Sequence, residues 1–272
     1  MSEQWRADLD KKSEIYGEVA EQINISEGIY SMWIRTGVAK EAKPGQFISI
    51  YTGDPSRLLP RPISICEIRE DALRIVYRLA GEGTKILSGK NKGDTVRFLG
   101  MLGNGYVKAA GPALEQAEDI VLLGGGIGIP PMLGLARYLK EQNKTVTTVM
   151  GYRDSHLFLQ EELQECSNLI IATEDGSVGV KGNVMDAIRE EKIKTGIIFS
   201  CGPMPMLRAI KHYALEQNIP AYLSLEERMA CGVGACLGCV AKTTHEDHHS
   251  HVNLARVCTE GPVFEAREVE IG

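Results

Sequence analysis

A chain of 272 residues has room for two or three domains, and its 43% hydrophobic, 24% charged composition is that of an ordinary globular protein. A net charge of −6 argues against nucleic acid as the main partner. No run approaches the ~20 apolar residues of a membrane helix, and the polar, acidic stretch Met1–Asp8 does not read as a secretory signal.

The first hundred residues read as β. Runs rich in Val, Ile, Tyr and Phe are bounded by Gly, Pro and Asp. Strands are expected over Ile15–Ile25, Ile29–Thr36, Phe47–Tyr51, Ile63–Ile68, Leu73–Leu79 and Thr95–Leu99, at a spacing that predicts a small antiparallel barrel. Arg61-Pro62-Ile63-Ser64 offers a cation for a phosphate and a hydroxyl for a flavin ring edge. Gly81-Glu82-Gly83-Thr84 opens a short helix, where amides and a hydroxyl can hold an anion. Taken alone, these segments are more simply an edge-strand proline and a capped helix.

From Ile120 the period changes. Strands at Ile120–Leu123, Val146–Met150, Leu169–Ala172, Ile197–Ser200 and Ala221–Leu225 alternate with helices at Met132–Glu141, Leu157–Glu165, Val184–Glu191 and Met204–Gln217. This predicts a doubly wound α/β sheet. The first strand runs into Gly124-Gly125-Gly126-Ile127-Gly128-Ile129-Pro130-Pro131, a loop that lets backbone amides approach a pyrophosphate. It departs from G-x-G-x-x-G at Ile129, and a tight turn would look the same. Cys201-Gly202-Pro203 ends a later strand, where ligands of such sheets bind. Cys201 is a candidate for facing a nicotinamide, or else a buried thiol. Glu174 and Asp175 end another strand. A carboxylate there accepts from a ribose hydroxyl and repels a 2′-phosphate, which favours NAD over NADP; alternatively both begin a solvated turn.

Near the C-terminus, Cys231, Cys236 and Cys239 stand at C-x4-C-x2-C spacing, with Cys258 further on. That is the plant-type [2Fe–2S] pattern. Gly232, Gly234 and Gly238 let the backbone fold closely around such a group. Zinc is the competing metal, although its structural sites favour two short ligand pairs. Strands are expected at Ala241–Thr244 and Arg256–Val257, with His245–His251 as a solvated tip rather than a metal site. Cys66 and Cys166 read as core or incidental thiols. Seven cysteines without an export signal point to the reducing cytoplasm.

Taken together, Arg61–Ser64, Tyr77-Arg78 with Gly83-Thr84, the 124–131 loop and Cys201-Gly202-Pro203 resemble ferredoxin–NADP⁺ reductase-type flavoproteins. Glu226-Glu227-Arg228-Met229 leading into the cysteine loop is similar to the electron-transfer subunits of two-protein, NAD-dependent dihydroorotate dehydrogenases. The resemblance spans essentially the whole chain. It implies an FAD barrel over residues 1–112, an NAD domain over 113–222 and a [2Fe–2S] subdomain over 223–272. It implies FAD contacts from Arg61, Pro62, Ile63, Ser64, Val76, Tyr77, Arg78, Gly83 and Thr84, and cluster ligands Cys231, Cys236, Cys239 and Cys258. The NAD contacts are expected from Gly124, Gly125, Gly126, Gly128, Glu174, Asp175, Cys201, Gly202 and Pro203. It also implies a partner catalytic subunit carrying FMN, in a heterotetramer of two copies each. Related flavin and iron–sulfur modules serve ferredoxin:NAD(P) reductases, sulfide dehydrogenases and hydrogenases. A reading of another class is a zinc-stapled or redox-sensing module.

Overall fold

The computed structural model describes residues 14–246 and 252–271. The acidic stretch at 1–8 and most of the histidine-rich tip, residues 247–251, lie outside the described residues.

The barrel forms from β1 (Glu14–Ser26), β2 (Ile29–Arg35), β3 (Phe47–Tyr51), β4 (Arg61–Ile68), β5 (Ala72–Arg78) and β6 (Thr95–Leu102). They close in the order β1-β2-β5-β4-β3-β6, all pairs antiparallel. Alternation sends Val19, Met32, Ile34, Ile48, Ile50, Leu73, Ile75 and Phe98 into a filled interior. Helix α1 (Glu82–Ser88) caps this domain.

Two short helices follow, α2 (Tyr106–Ala110) and α3 (Pro112–Gln116). Sequence reading missed both, since five residues are too few to show a helical period. Tyr106 is fully buried at the junction of the domains. Its ring lies so close to Gly45 that a Cβ there would sit 2.6 Å away, and its hydroxyl donates to the Ser200 carbonyl at 3.3 Å.

The second sheet contains β7 (Ile120–Gly125), β8 (Val146–Tyr152), β9 (Asn168–Thr173), β10 (Val180–Lys181), β11 (Ile197–Cys201) and β12 (Ala221–Ser224), in parallel. Helices α4 (Ile129–Glu141), α5 (Gln160–Cys166), α6 (Val184–Glu190) and α7 (Met204–Glu216) cross between them. The order β10-β9-β8-β7-β11-β12 reverses between β7 and β11. That crevice is the topological switch point, where such sheets bind ligands. Helix α4 begins at Ile129, not Met132, because Pro130 and Pro131 fit its first turn, where no amide is needed. Helix α5 begins at Gln160 rather than Leu157: Tyr152 donates its hydroxyl to the Phe158 carbonyl, and Leu159 turns left-handed at φ 61°.

The C-terminal segment carries β13 (Val240–Lys242) and β14 (Leu254–Arg256), paired antiparallel, then β15 (Val263–Glu265). β15 returns to pair antiparallel with β12 and extends the second sheet. The three regions share apolar cores. Ile29, Cys66 and Val76 of the barrel pack with α4, and Phe47 and Leu102 join a core that also holds Cys239, Val257 and Cys258.

Candidate functional site

Three of the predicted barrel segments meet at one cleft of about 290 Å³. Pro62, Ile63 and Ser64 of β4, Val76, Tyr77 and Arg78 of β5, and Thr84 of α1 line one side. Arg61 lies directly against Gly83, where a Cβ would overlap its guanidinium. The Thr84 hydroxyl is engaged locally: it accepts from the Ala80 amide at 2.9 Å and donates to the Gly81 carbonyl at 2.9 Å. It therefore shapes the turn before α1, as a helix-capping group does.

Sequence reading saw the opposite wall only in part. Ile127 comes from the glycine loop, Ser224 and Glu226 from the end of β12, Met229 from the approach to the cysteines, and Pro262 from beyond them. Burial holds the Glu226 carboxyl above the usual range, with the Arg78 charge opposing. Cleft and cysteine loop are thus joined twice through the chain, from Met229 to Cys231 and from Cys258 to Pro262.

The glycine loop and Cys201-Gly202-Pro203 face each other at the switch point. A Cβ at Gly128 would overlap the Cys201 carbonyl, and one at Gly125 would meet Met206 Sδ at 2.6 Å and Pro203 Cδ at 3.2 Å. Gly124 is similarly filled by Met150, while Gly126 opens onto free space. Most of these glycines exist for loop-on-loop packing, and Gly126 marks the accessible face. Cys201 is 1% exposed, and burial pushes its thiol up to about 12. It is a neutral side chain beneath the crevice, beside Ser224 and Glu226. Glu174 and Asp175 are exposed beyond β9. Asp175 Oδ1 accepts from the Ser177 amide at 2.9 Å, and these Ser177 bonds hold its carboxyl low.

The cysteine loop lies on the barrel, with Gly232 against Leu102 and Ser49. Gly232 and Gly234 have φ of 68° and 82°, which only glycine adopts at little cost. These turns aim amides at sulfur: Val233 N and Cys236 N each donate to Cys231 Sγ at 3.4 Å, and Gly238 N donates to Cys236 Sγ at 3.4 Å. Although burial works against it, these amides bring the Cys231 thiol down to about 6. Among the described residues no three His, Cys, Asp or Glu side chains close on a single-ion position. The four thiols stand as two neighbouring pairs, Cys231 with Cys236 and Cys239 with Cys258. Burial, then the Cys239 contact, pushes the Cys258 thiol up to about 12. Cys236 is exposed and Cys231 half-buried, whereas Cys239 and Cys258 are 2% and 1% exposed.

Residues 226–270 match the iron–sulfur cluster binding domain of dihydroorotate dehydrogenase B, and residues 122–212 match an oxidoreductase NAD-binding domain. The dihydroorotate dehydrogenase B (NAD⁺) electron transfer subunit of Bacillus caldolyticus is 41% identical over 258 residues, covering 92% of this chain and 96% of that protein. The subunit of the same name from Fusobacterium nucleatum is 38% identical over 262 residues, covering 93% and 97%. Among solved structures, an NADH-dependent reduced ferredoxin–NADP oxidoreductase superposes with a TM-score of 0.80 at 28% identity, over 93% of this chain and 89% of that one. A ferredoxin–NADP⁺ reductase from Neisseria gonorrhoeae, at 15% identity and a TM-score of 0.64 over 75% of this chain and 91% of that one, shares the fold. With a barrel cleft, a nucleotide crevice and four paired thiols in one continuous body, the chain belongs to the family of dihydroorotate dehydrogenase B (NAD⁺) electron transfer subunits.

Proposed function

We propose that this chain carries electrons to NAD⁺ from a cytoplasmic partner subunit that holds FMN and oxidises dihydroorotate, the two assembling two plus two. The observation that carries the reading is the junction of the four thiols with the barrel cleft through Met229 and Pro262. The residues present fit both cofactors. Two thiol pairs, with amides aimed at their sulfurs, are the donor set of a two-iron cluster. The cleft offers the Ser64 hydroxyl, the Tyr77 ring and the Arg78 cation, the mixture a flavin's ring and polar edge require. When bound, FAD and the [2Fe–2S] cluster supply the exchange between one-electron and two-electron chemistry.

The chain's own side chains bind, orient and exclude water. Arg61, held against Gly83, would meet a flavin phosphate, and Ser64 and Arg78 the ring edge. The open face at Gly126 would take the NAD pyrophosphate, with Gly124, Gly125, Gly128, Gly202 and Pro203 holding that face in shape. Glu174 and Asp175 would accept from the adenosine ribose and reject a 2′-phosphate. Cys201, neutral and buried, would give the nicotinamide a dry, uncharged floor. Orotate chemistry, with its general base, belongs to the partner.

The purified protein should carry one FAD and two irons with matching sulfide per chain. A yellow protein without iron overturns the cluster, as does Cys231→Ala with undiminished transfer from FMN to NAD⁺. Co-expression with an FMN-containing dihydroorotate-oxidising subunit should yield dihydroorotate:NAD⁺ activity, and NADP⁺ should be the poorer acceptor. Activity with reduced ferredoxin, but none with that subunit, would assign another donor.

A further inference from the structure

Among the described residues, three shielded side-chain atoms have no hydrogen-bond partner: Arg137 Nε, Ser200 Oγ and Thr259 Oγ1. Arg137 Nε lies 3.1 Å from a Glu67 carboxylate oxygen, so its charge is matched. Ser200 belongs to the interior strand β11. Thr259 differs, because it follows Cys258 directly and borders the thiols. Its side chain touches the Gly234 turn, where a Cβ would meet Thr259 Cγ2 at 3.0 Å and Oγ1 at 3.2 Å. The Gly234 amide in turn faces Cys258.

The backbone holds this threonine in place. The amides of Thr259, Glu260 and Gly261 all donate to the Arg256 carbonyl, at 3.1, 2.8 and 3.3 Å. Val257 N donates to the Cys239 carbonyl at 2.8 Å, tying the same turn to the second thiol pair. A hydroxyl is one of the least costly groups to satisfy, since its proton rotates to any acceptor in reach. One left without a partner, shielded from water and fixed against the Gly234 turn next to Cys258, calls for an acceptor that the protein alone does not supply. Sulfur of a bound cluster is such an acceptor.

We propose that Thr259 is a positioning residue for the redox group, donating its O–H to a sulfur of the cluster and raising its reduction potential. The inference rests on the cluster assignment made above. Its physical basis is charge. Reduction adds one electron, taken from the partner's reduced flavin, and no proton, so the four-thiolate cluster becomes more negative by one. A donor aimed at sulfur favours the more negative state, and in a water-excluded position it acts at full strength. Thr259 thereby makes the cluster easier to reduce than the four thiolates and their amides would alone.

The test uses the holoprotein with FAD and cluster bound. Iron and sulfide assays on the unmutated protein come first, and their failure would sink the cluster assignment itself. Thr259→Val keeps the shape and removes the hydroxyl, while Thr259→Ser keeps the hydroxyl. Anaerobic titration followed by the reduced-cluster EPR signal should show Thr259→Val harder to reduce by about tenfold in the one-electron equilibrium, about 59 mV. Thr259→Ser should restore the original potential. Thr259→Ala, which asks for no extra space, stands in if valine does not load, with the same expected shift. Iron loss from both Val and Ala, with FAD retained and iron recovered in Ser, would also support a hydroxyl directed at the cluster. An unchanged potential in either loaded variant overturns the proposal, as does iron loss in all three.

Discussion

The barrel holds its two neighbours by different means. Against the nucleotide sheet the seam is charged and buried. Arg74 of β5 pairs with Glu67 of β4 and with Glu162 of α5, and Arg137 of α4 lies 3.1 Å from Glu67 and 3.5 Å from Glu162. Arg74 also donates to Ser31 Oγ at 2.8 Å, and its side chain is 7% exposed. Beside this network, α4 approaches β4 so closely that a Cβ at Gly134 would overlap the Cys66 carbonyl. Against the cysteine segment the seam is made of main chain and apolar contact. Asn104 N donates to the Gly261 carbonyl at 2.6 Å, Asn104 Nδ2 donates to the Glu260 carbonyl at 2.8 Å, and Gly103 lies under Pro262. The charged seam is specific in direction but answers to pH and to loss of either partner. Among the described residues the second seam holds no buried ion pair, and it does not answer to pH in this way.

Removing Arg74 is the most severe way to break this contrast. Arg74→Ala leaves Glu67 buried and short of a cation, and should cost about 3–5 kcal/mol in denaturant unfolding. The seam's acid response has a definite sign. Burial is the largest single influence and would raise the Glu162 carboxyl, but the Arg74 hydrogen bond and the Arg74 and Arg137 charges together outweigh it and hold the group below its ordinary value. Its contribution is therefore present above about pH 4.3 and is lost as pH falls through the lower folded value. Unfolding measured across pH 3–6 should show this loss in the parent protein and a weaker slope in Arg74→Ala.

Glycine substitutions come next. Gly134→Ala should push α4 off β4 for about 1–3 kcal/mol. Gly103→Ala, with its Cβ 2.5 Å from Pro262, should cost a similar amount, but it should also weaken FAD retention because Pro262 walls the cleft. Equal flavin affinity in these two variants would break the distinction between the seams. The smallest effect is expected at Asn104→Ala, about 0.5–1.5 kcal/mol for the exposed bonds its side chain makes to the Glu260 carbonyl and from Lys108 Nζ. It should be indifferent to pH between about 5 and 8, where Lys108 keeps its charge.

Runs rich in Val, Ile, Tyr and Phe between turn residues made the barrel legible to within two residues, except that β6 runs on to Leu102, three residues past its expected end, and the change of period at Ile120 made the α/β half legible. The cysteine spacing named its own site. What sequence could not show were relations between distant residues. Glu67, Arg74, Arg137 and Glu162 carry no local motif, and they meet only because α4 and α5 pack against β4 and β5. Glu226 and Met229 were visible as part of the resemblance, but their place in the cleft wall follows from where β12 ends. The glycine loop shows another limit. Composition suggested a ligand cradle, but not that neighbouring protein atoms leave no room for a side chain at Gly124, Gly125 and Gly128. β15 escaped notice because three residues cannot display a period.

That return strand has a consequence for how the molecule can vary. Ser224 and Val263 are paired partners across β12 and β15, so the chain leaves the sheet and comes back to the same place. The cysteine-bearing stretch is topologically a long hairpin loop clipped at its base. The entropic cost of such a loop grows only with the logarithm of its length. The stretch can therefore gain or lose residues at its outer end while its stem, and the nucleotide crevice beside it, stay where they are. In architectural terms only the outer end of the stretch is an ornament on the sheet's edge; its inner part, through Cys239, Val257 and Cys258, belongs to the core it shares with Phe47 and Leu102.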